Sequence, residues 1–471
     1  METNNNPIED NKSPGMGKVD ILNDKITKVI LHLAIPIFFG MIFQLLHNIV
    51  NTIWVSRIDL TDPSYPGAVG LVFPIFFLAI AIANGLITGI SSYSARLVGA
   101  GKQAQIGSVF SSMGLIVIVL LALFLFFGYK FGENILIFLG AHGNYLTHSL
   151  DYFNYILPAM ILLLLGSLYV GALQGLGRMK PVMIAMFIGT ILNIAIDPLL
   201  IFTFKLGIKG AAIGTLIAQS FSMIYILISF HNSPEGRKIS FSLFRIDFSA
   251  LKEILSVGSS QSLNQLLIAI SYIVFNYFII RISENALTAF SIVGRIDQVI
   301  MLPIIAISIA LITAVGQNYS KGHFERVNQL WKSCNNMAFI PVFILCTIMV
   351  VMAPAIFKQF SDINEVVKLS VLQVRTIEYG FLFVVIQVLA SSFFQAINRP
   401  GPAIILTLLR LLVLPVFAIL ILLATNNLNI QGIWASILAI NLIAAIISWV
   451  WVYSTNRELN SRASETMLSP L

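Results

Sequence analysis

Twelve stretches of this 471-residue chain are each long and apolar enough to cross a lipid bilayer, and that pattern limits the fold more than any other feature. A bilayer core takes about twenty consecutive apolar residues per helix. Such runs are read at 30–55, 67–93, 107–128, 147–174, 181–204, 209–230, 254–281, 286–315, 331–353, 369–397, 402–424 and 430–453. Backbone polar groups in hydrocarbon must be satisfied internally, so the runs are helices and not open sheets. Composition leads to the same class: 57% of residues are hydrophobic and 10% charged, where a soluble domain carries about 25% charged residues. The expected fold class is all-α and integral to the membrane.

The charges that remain are informative by position. The formal net charge is +7, but the basic residues sit in short loops between apolar runs, with no basic stripe or aromatic-basic module. A nucleic-acid partner is therefore not expected. With the N-terminus placed in the cytoplasm, Lys and Arg in the inside segments outnumber those in the outside loops by about two to one. Both termini are then expected in the cytoplasm, and the even number of spans agrees, since it puts the termini on one side. The polar start, with Asn4, Asn5, Asn6, Glu9, Asp10 and Lys12, does not resemble a cleavable signal peptide, so the first span itself is expected to direct insertion. Cys334 and Cys346 share one span at no ligand spacing and read as free thiols.

The chain reads as two halves. The longest clear polar connection runs from His231 to Ala250 and includes Ser233, Pro234, Glu235, Gly236, Arg237 and Lys238. It separates an N-lobe, 26–230, from a C-lobe, 251–455, with tails at 1–25 and 456–471. Leu173-Gln174-Gly175-Leu176-Gly177-Arg178 with Pro181 aligns with Phe394-Gln395-Ala396-Ile397-Asn398-Arg399 with Pro402. Gly101-Lys102 aligns with Gly322-His323 at the same offset, and Ile208-Lys209-Gly210 with Ile430-Gln431-Gly432 one residue further. Six spans per half give both halves one orientation. The repeat is then parallel, with a pseudo-two-fold axis along the membrane normal and a cavity between the lobes.

Polar side chains inside the spans mark the candidate site. Asp197 is read as lying mid-span in the fifth helix, with Asn193 one turn earlier on the same face. An ionised carboxylate at the bilayer centre costs about 2.5–3.5 kcal/mol on insertion scales, so it needs protein partners or water. Thr215 and Gln219 are one turn apart on the sixth span. Gln44, Asn48 and Asn51 form one stripe on the first, with His47 beside it. Together these amides, hydroxyl and imidazole make a cage for a proton or a hard cation around Asp197. The rival reading is a hydrogen-bonded lock between helices. A neutral Asn would lock them more cheaply, which favours function for Asp197; for Gln44 and Asn48 alone, interhelical glue is the better account. His47 is the one histidine deep enough to titrate in a cavity, although packing explains it as well.

The C-lobe offers Gln261, Asn264 and Gln265 on the seventh span as cavity residues. It also holds four charges in its spans: Arg295, Asp297, Glu378 and Arg410. Neutralisation predicts that Glu378 pairs with Arg295 or Arg410; a second transport site is the alternative. Pro36, Pro158, Pro303 and Pro415 are expected to bend their spans. The 34 Phe and 14 Met supply adaptable apolar walls.

Three motifs carry a family resemblance. They are Gly316-Gln317-Asn318 followed by Gly322 and Arg326, the loop Gln174-Gly175-Leu176-Gly177-Arg178 before Pro181, and Asn193-x-x-x-Asp197-Pro198-Leu199-Leu200-Ile201-Phe202 leading to Gly207-x-Lys209-Gly210-Ala211-Ala212. Over residues 25–455 the chain resembles the MATE (multidrug and toxic compound extrusion) family, in its DinF-like and MepA-like bacterial branches. The resemblance implies a two-lobe antiporter of the cell membrane that exports small cationic or amphipathic organic molecules against a proton or sodium gradient. It implies no further cofactor, and a monomer is expected. Carried over by position, its N-lobe ion site comprises Asn193, Asp197, the Ala211 carbonyl and Thr215. The family often has an Asp where this chain has Asn51, so one negative charge is missing and the case for sodium weakens. The C-lobe carboxylates of the NorM-type branch are also missing, with Val384 near the expected Asp.

Other functions fit less well. No nucleotide-binding Gly-Lys-Ser/Thr loop, Ser-His-Asp spacing or metal-ligand spacing points to an enzyme. A lipid-linked-oligosaccharide flippase of the same superfamily would present cavity arginines that the N-lobe spans lack. A channel or receptor has no use for a two-lobe repeat around an isolated titratable Asp.

Overall fold

The computed structural model describes residues 19–234, 236–238 and 247–468. The tail 1–18 and much of the 231–250 connection lie outside the described residues. All regular structure among the described residues is helical. Among the described residues, twelve helices are long and apolar enough to cross a membrane: Ile26–Ser56, Ser64–Gly99, Gln103–Phe138, Gly143–Gly175, Met179–Thr203, Ile208–His231, Phe248–Ile282, Glu284–Ser320, Phe324–Phe357, Asn364–Ala396, Pro400–Ala424 and Ile430–Ser461. Most run past the apolar stretches that announce them. Hydropathy sees only the part in hydrocarbon, whereas the backbone ladder continues through interfacial residues until a cap stops it.

Those caps repeat between the halves. Gly101 and Gly322, Gly177 and Asn398, and Lys205 and Asn426 all have positive φ, and each pair is separated by 221 residues. At the first pair, Lys102 N–H donates to Leu97 O and His323 N–H to Asn318 O. At the second, Arg178 N–H donates to Leu173 O and Arg399 N–H to Phe394 O. A left-handed residue followed by such a back-bond is the Schellman ending, which satisfies carbonyls the helix leaves open. Two of these pairs fall in the motifs that align in sequence, so the repeat is written into the turns as well as the composition.

Packing divides the molecule by depth. Because successive spans alternate in direction, odd spans begin and even spans end on the face that carries both termini. One hydrophobic core unites both halves near that face, from Ile30, Leu33, Ile90 and Leu173 to Ala310, Val315, Phe393 and Phe394. Toward the opposite face the core splits. Val72, Tyr152, Phe153 and Ile208 form a cluster of N-half residues; Phe275, Phe290, Ile377 and Trp434 form a separate cluster of C-half residues. The halves are therefore fused at the terminal face and apart at the other.

Polar groups reinforce the fused end. Arg96 Nη2 pairs with Glu253 Oε2 at 2.8 Å, and the Ser92 hydroxyl donates to Gln395 O at 2.6 Å. The Thr313 hydroxyl donates to Gln174 O at 2.9 Å and Gln317 Nε2 to Gly175 O at 2.9 Å. Arg326 and Asn318 donate to the carbonyl of Ile21, tying the segment ahead of the first span to the C-half. Gly99 permits the tightest approach: a Cβ there would lie 2.0 Å from the Gln317 carbonyl oxygen.

The expected proline breaks are only partly found. Pro36, Pro158 and Pro303 sit inside uninterrupted helices. A five-residue π turn, Leu409–Val413, precedes Pro415. A second π turn, Leu199–Thr203, follows Pro198, which the sequence reading did not single out as a breaker. The tenth span narrows to a 3-10 turn at Glu378–Gly380 with no proline at all. A proline lacks the N–H that bonds to the carbonyl four residues earlier, but whether the helix yields depends on what packs around it.

Candidate functional site

The N-half site forms where the fifth and sixth spans pack. Asp197 and Asn193 are both fully buried, one turn apart on the fifth. Asn193 Nδ2 donates to Asp197 Oδ1 at 2.8 Å and lies 3.3 Å from Thr215 Oγ1. The Thr215 hydroxyl donates to the Ala211 carbonyl at 3.0 Å. Asp197, Asn193, Thr215 and Ala211 are thus brought together as the sequence motif implies. Immediately after Asp197 the helix passes into the Leu199–Thr203 π turn. Such irregular turns gather at functional sites, because they re-aim side chains within an otherwise continuous helix. With about 1.5 Å of rise per residue, Asp197 lies in the third of its span nearer the open face, not at mid-depth as its place in the apolar run suggested.

The site is rich in acceptors and poor in donors. Asp197 Oδ2 and Asn193 Oδ1 are buried without a hydrogen-bond partner, and so are Asn51 Oδ1 and Gln219 Oε1. Buried acceptors normally find a donor. Here a proton on Asp197 would supply one directly. A hard cation such as sodium would need the Asn193 amide to turn its oxygen inward, beside the carboxylate and the Thr215 hydroxyl. The residue types fit either ion.

The first-span stripe does not close around Asp197 as a unit. Asn51 reaches the site and lies beside Tyr152, a buried fourth-span residue close enough to Asp197 to feel its charge. Gln44 and Asn48 are exposed, and His47 is half-buried. The first span packs on the fifth along its length, Phe43 against Phe187 and Trp54 against Phe202, through side chains other than Gln44 and Asn48. Thr190 ties the two spans lower down, donating to Phe43 O at 3.0 Å. On the seventh span Gln261 accepts from Gln395 Nε2 at 3.3 Å, while Asn264 and Gln265 are half-buried. A cleft of about 480 Å³ between the second, third and seventh spans is lined by Ile82, Leu86, Ile254 and Ser262 and includes none of these predicted cavity residues.

The expected C-half ion pair does not form. Glu378 is fully buried and both of its carboxyl oxygens lack a partner. Arg410 instead donates to Gln387 Oε1 at 2.9 Å. Arg295 is exposed and has no ion-pair partner among the described residues. Charge balance read from sequence assumes that opposite charges find each other, whereas the spans aim these side chains apart. Asp297 is half-buried and lies within electrostatic reach of Glu378.

Two contributors escaped the sequence reading. Tyr152 carries no signal beyond one more Tyr in an apolar run. Gly214 does: with Gly210 it makes a small-xxx-small spacing, which marks close helix packing in membranes. A Cβ at Gly214 would lie 2.1 Å from Asp197 Oδ1, and one at Gly210 would lie 2.8 Å from the Leu200 carbonyl carbon at the π turn. Glycine there lets the sixth span lie directly against the carboxyl. Gly214→Ala is expected to displace Asp197 at a cost of about 1–3 kcal/mol, the usual range for overpacking. Thermal unfolding of the purified variant should show a lower midpoint together with impaired transport; wild-type values in both would contradict this packing account.

Comparison with known proteins bears on the fold and the family. A family model described as MatE matches residues 36–199 and 262–421. The chain is similar to multidrug export protein MepA of Staphylococcus aureus (strain bovine RF122 / ET3-1), with 23% identity over 451 residues, 93% of this chain and 96% of that protein. MepA of Staphylococcus haemolyticus (strain JCSC1435) is 24% identical over 444 residues, 92% of this chain and 95% of its own. Among solved structures, the outward-facing conformation of a multidrug resistance MATE family transporter of the MOP superfamily matches with a TM-score of 0.86 at 27% identity, over 94% of this chain and 98% of that one. The MATE transporter ClbM in complex with Rb+ matches with a TM-score of 0.81 at 30% identity, over 93% and 98% of the two chains.

Proposed function

Because this chain belongs to the MatE family, we propose that it is a secondary-active exporter of small organic molecules, driven by a proton gradient, with Asp197 as the coupling carboxylate. The observation that carries the reading is the buried Asp197 with Oδ2 unpartnered beside the equally unpartnered Asn193 Oδ1. An ionised carboxylate in that position is costly, and a proton relieves the cost. Sodium is the second candidate, and the substitution of an amide at Asn51 disfavours it by removing a charge. Cationic or amphipathic cargo suits the family, whose MepA members are named as multidrug exporters.

Alternating access supplies the mechanism. The fused terminal face and the divided opposite face describe one end state. The Lys and Arg bias puts the termini in the cytoplasm, so this state opens outward. Loading the ion onto Asp197 from that side removes a buried charge next to the π turn, lets the fifth and sixth spans settle differently, and favours release of cargo. Return to the inward state needs the contacts between Arg96 and Glu253 and between Ser92 and Gln395 to break. The chain is taken to work as a monomer, since one copy contains both lobes and the site.

Purified protein in liposomes, given a panel of organic cations under separately imposed proton and sodium gradients, tests the proposal. Efflux that follows the proton gradient is expected. Passive flux insensitive to both gradients would overturn it, and flux that follows sodium alone would replace the coupling ion.

A further inference from the structure

We propose that residues 19–25, the segment ahead of the first span, form a latch that holds the terminal face closed and releases the C-half when that face opens. The segment is a preformed turn. Asp24 N–H donates to Asp20 O at 2.9 Å. The Asp20 carboxylate accepts from Leu22 N–H at 2.9 Å and from Asn23 Nδ2 at 2.8 Å, and Asp24 Oδ2 accepts from Asp20 N–H at 3.1 Å. An Asp that bonds the backbone two residues on fixes a turn locally. The turn presents Ile21, which is buried although it lies ahead of the membrane span, and which belongs to the core that unites the halves.

Ile21 touches both halves. Its side chain fills the space over Gly177, in the turn between the fourth and fifth spans, where a Cβ would lie 2.6 Å from Ile21 Cδ1. Its carbonyl accepts from Asn318 Nδ2 of the eighth span at 3.3 Å and from Arg326 Nη2 of the ninth at 3.2 Å. Arg326 Nη2 also donates to the Asp24 carbonyl. Asn318 Nδ2 is shared with Ala314 O at 2.8 Å, and a charged donor makes the stronger bond, so Arg326 carries most of the hold. The latch is one-sided. The repeat offset of 221 sets Asn398 against Gly177 and Leu97 against Asn318. Asn398 keeps the positive φ of Gly177 but has a side chain where Gly177 leaves a seat, and Leu97 has no side-chain donor. Seat and amide donor occur together at only one of the two related places, so they are not a by-product of the repeat.

Connectivity decides which contacts break. The segment runs directly into the first span, and its seat at Gly177 is in the N-half, so it travels with the N-half. When the halves part at the terminal face, the bonds from Asn318 and Arg326 are the ones lost. The Arg326 guanidinium then gives up both carbonyls, and its buried Nε has no partner to begin with. This gives the Gly316-Gln317-Asn318 motif with Arg326 a task separate from the ion site. Gln317 joins the halves directly through Gly175 O, while Asn318 and Arg326 join them through Ile21.

Thiol labelling of purified Ile21→Cys reads the latch. It rests on the alternating-access reading, but neither cargo nor gradient enters it, so its outcome is separate from that of proton-driven transport. Labelling should be slow at this buried position. It should speed up at least about fivefold, the low end of ordinary coupling between sites, when Arg326→Met or Gly177→Asn is added. Arg326→Met keeps the length of the side chain and removes its donors. Gly177→Asn writes in the residue of the related turn, which tolerates left-handed backbone while filling the seat. Both should also slow the cross-link between Ser92→Cys and Gln395→Cys, whose parent residues join the halves by a 2.6 Å hydrogen bond. The two substitutions act on opposite sides of Ile21, so one that fails to fold leaves the other as the test. Labelling and cross-linking at the parent rates would overturn the proposal. A lower melting midpoint with the cross-link at its parent rate would show that the segment only packs, and would equally overturn it.

Discussion

Asp197→Asn should reduce gradient-driven export about 100-fold, the upper range of ordinary coupling energies, while leaving the protein folded. The amide keeps the size of the carboxyl and still accepts from Asn193 Nδ2, which now bonds Asp197 Oδ1 at 2.8 Å. Its oxygen also stays compatible with the tight seat against Gly214. What it loses is the ability to take up and release charge. The variant therefore resembles a permanently loaded site: cargo binding and thermal stability persist, and the gradient no longer does work. Substrate efflux and proton uptake, measured side by side in liposomes for wild type and variant, provide the check. Efflux by the variant that is undiminished and still follows the gradient would remove Asp197 from the mechanism and leave Asp297 and Glu378 as the sites of coupling.

Gly99→Val should have the next largest effect, at the other end of the molecule. The second and eighth spans meet there so closely that even a Cβ would lie 2.0 Å from the Gln317 carbonyl oxygen and 2.8 Å from its carbonyl carbon. Backbone cannot swing aside as a long side chain can. Forcing a branched side chain into a packed contact costs about 1–3 kcal/mol, and an equilibrium between two end states shifts by roughly 5–150-fold for that amount. The state fused at the terminal face should lose population, because only that state needs the contact. Cross-linking between Ser92→Cys and Gln395→Cys, whose parent residues are joined by a 2.6 Å hydrogen bond, reports closure. The cross-link should form more slowly with Gly99→Val, and export should fall with it. Cross-linking at the wild-type rate would mean that the second and eighth spans are not the closing surface.

Much of the site was legible because it is local. Asn193 and Asp197 are one helical turn apart, as are Ala211 and Thr215, so helix geometry alone puts each pair on one face. Asn51 was found through the same periodicity, but Gln44 and Asn48 came with it and proved exposed. Periodicity fixes a face, and it does not fix what that face meets. The expected pairing of Glu378 with Arg295 or Arg410 failed for a related reason. It rested on charge balance between spans far apart in sequence, and the rotation of each span about its own axis decides which charges meet. Rotation is set by packing of residues that look alike to a hydropathy scale.

The sequence by itself determined the solvent, the number of crossings and the parallel repeat, because lipid admits few backbone solutions and the capping turns recur at a constant spacing. It also placed Asn193 and Asp197 one turn apart on one helix face. Only the tertiary structure decided the rest: that the halves are fused at the terminal face and split at the other, that Gly214 seats the sixth span on the carboxyl, and that Glu378 is buried without a partner while Arg295 and Arg410 turn elsewhere. Each of these depends on the relative rotation and depth of two helices. That is the sum of many weak apolar contacts, and no short stretch of sequence encodes it.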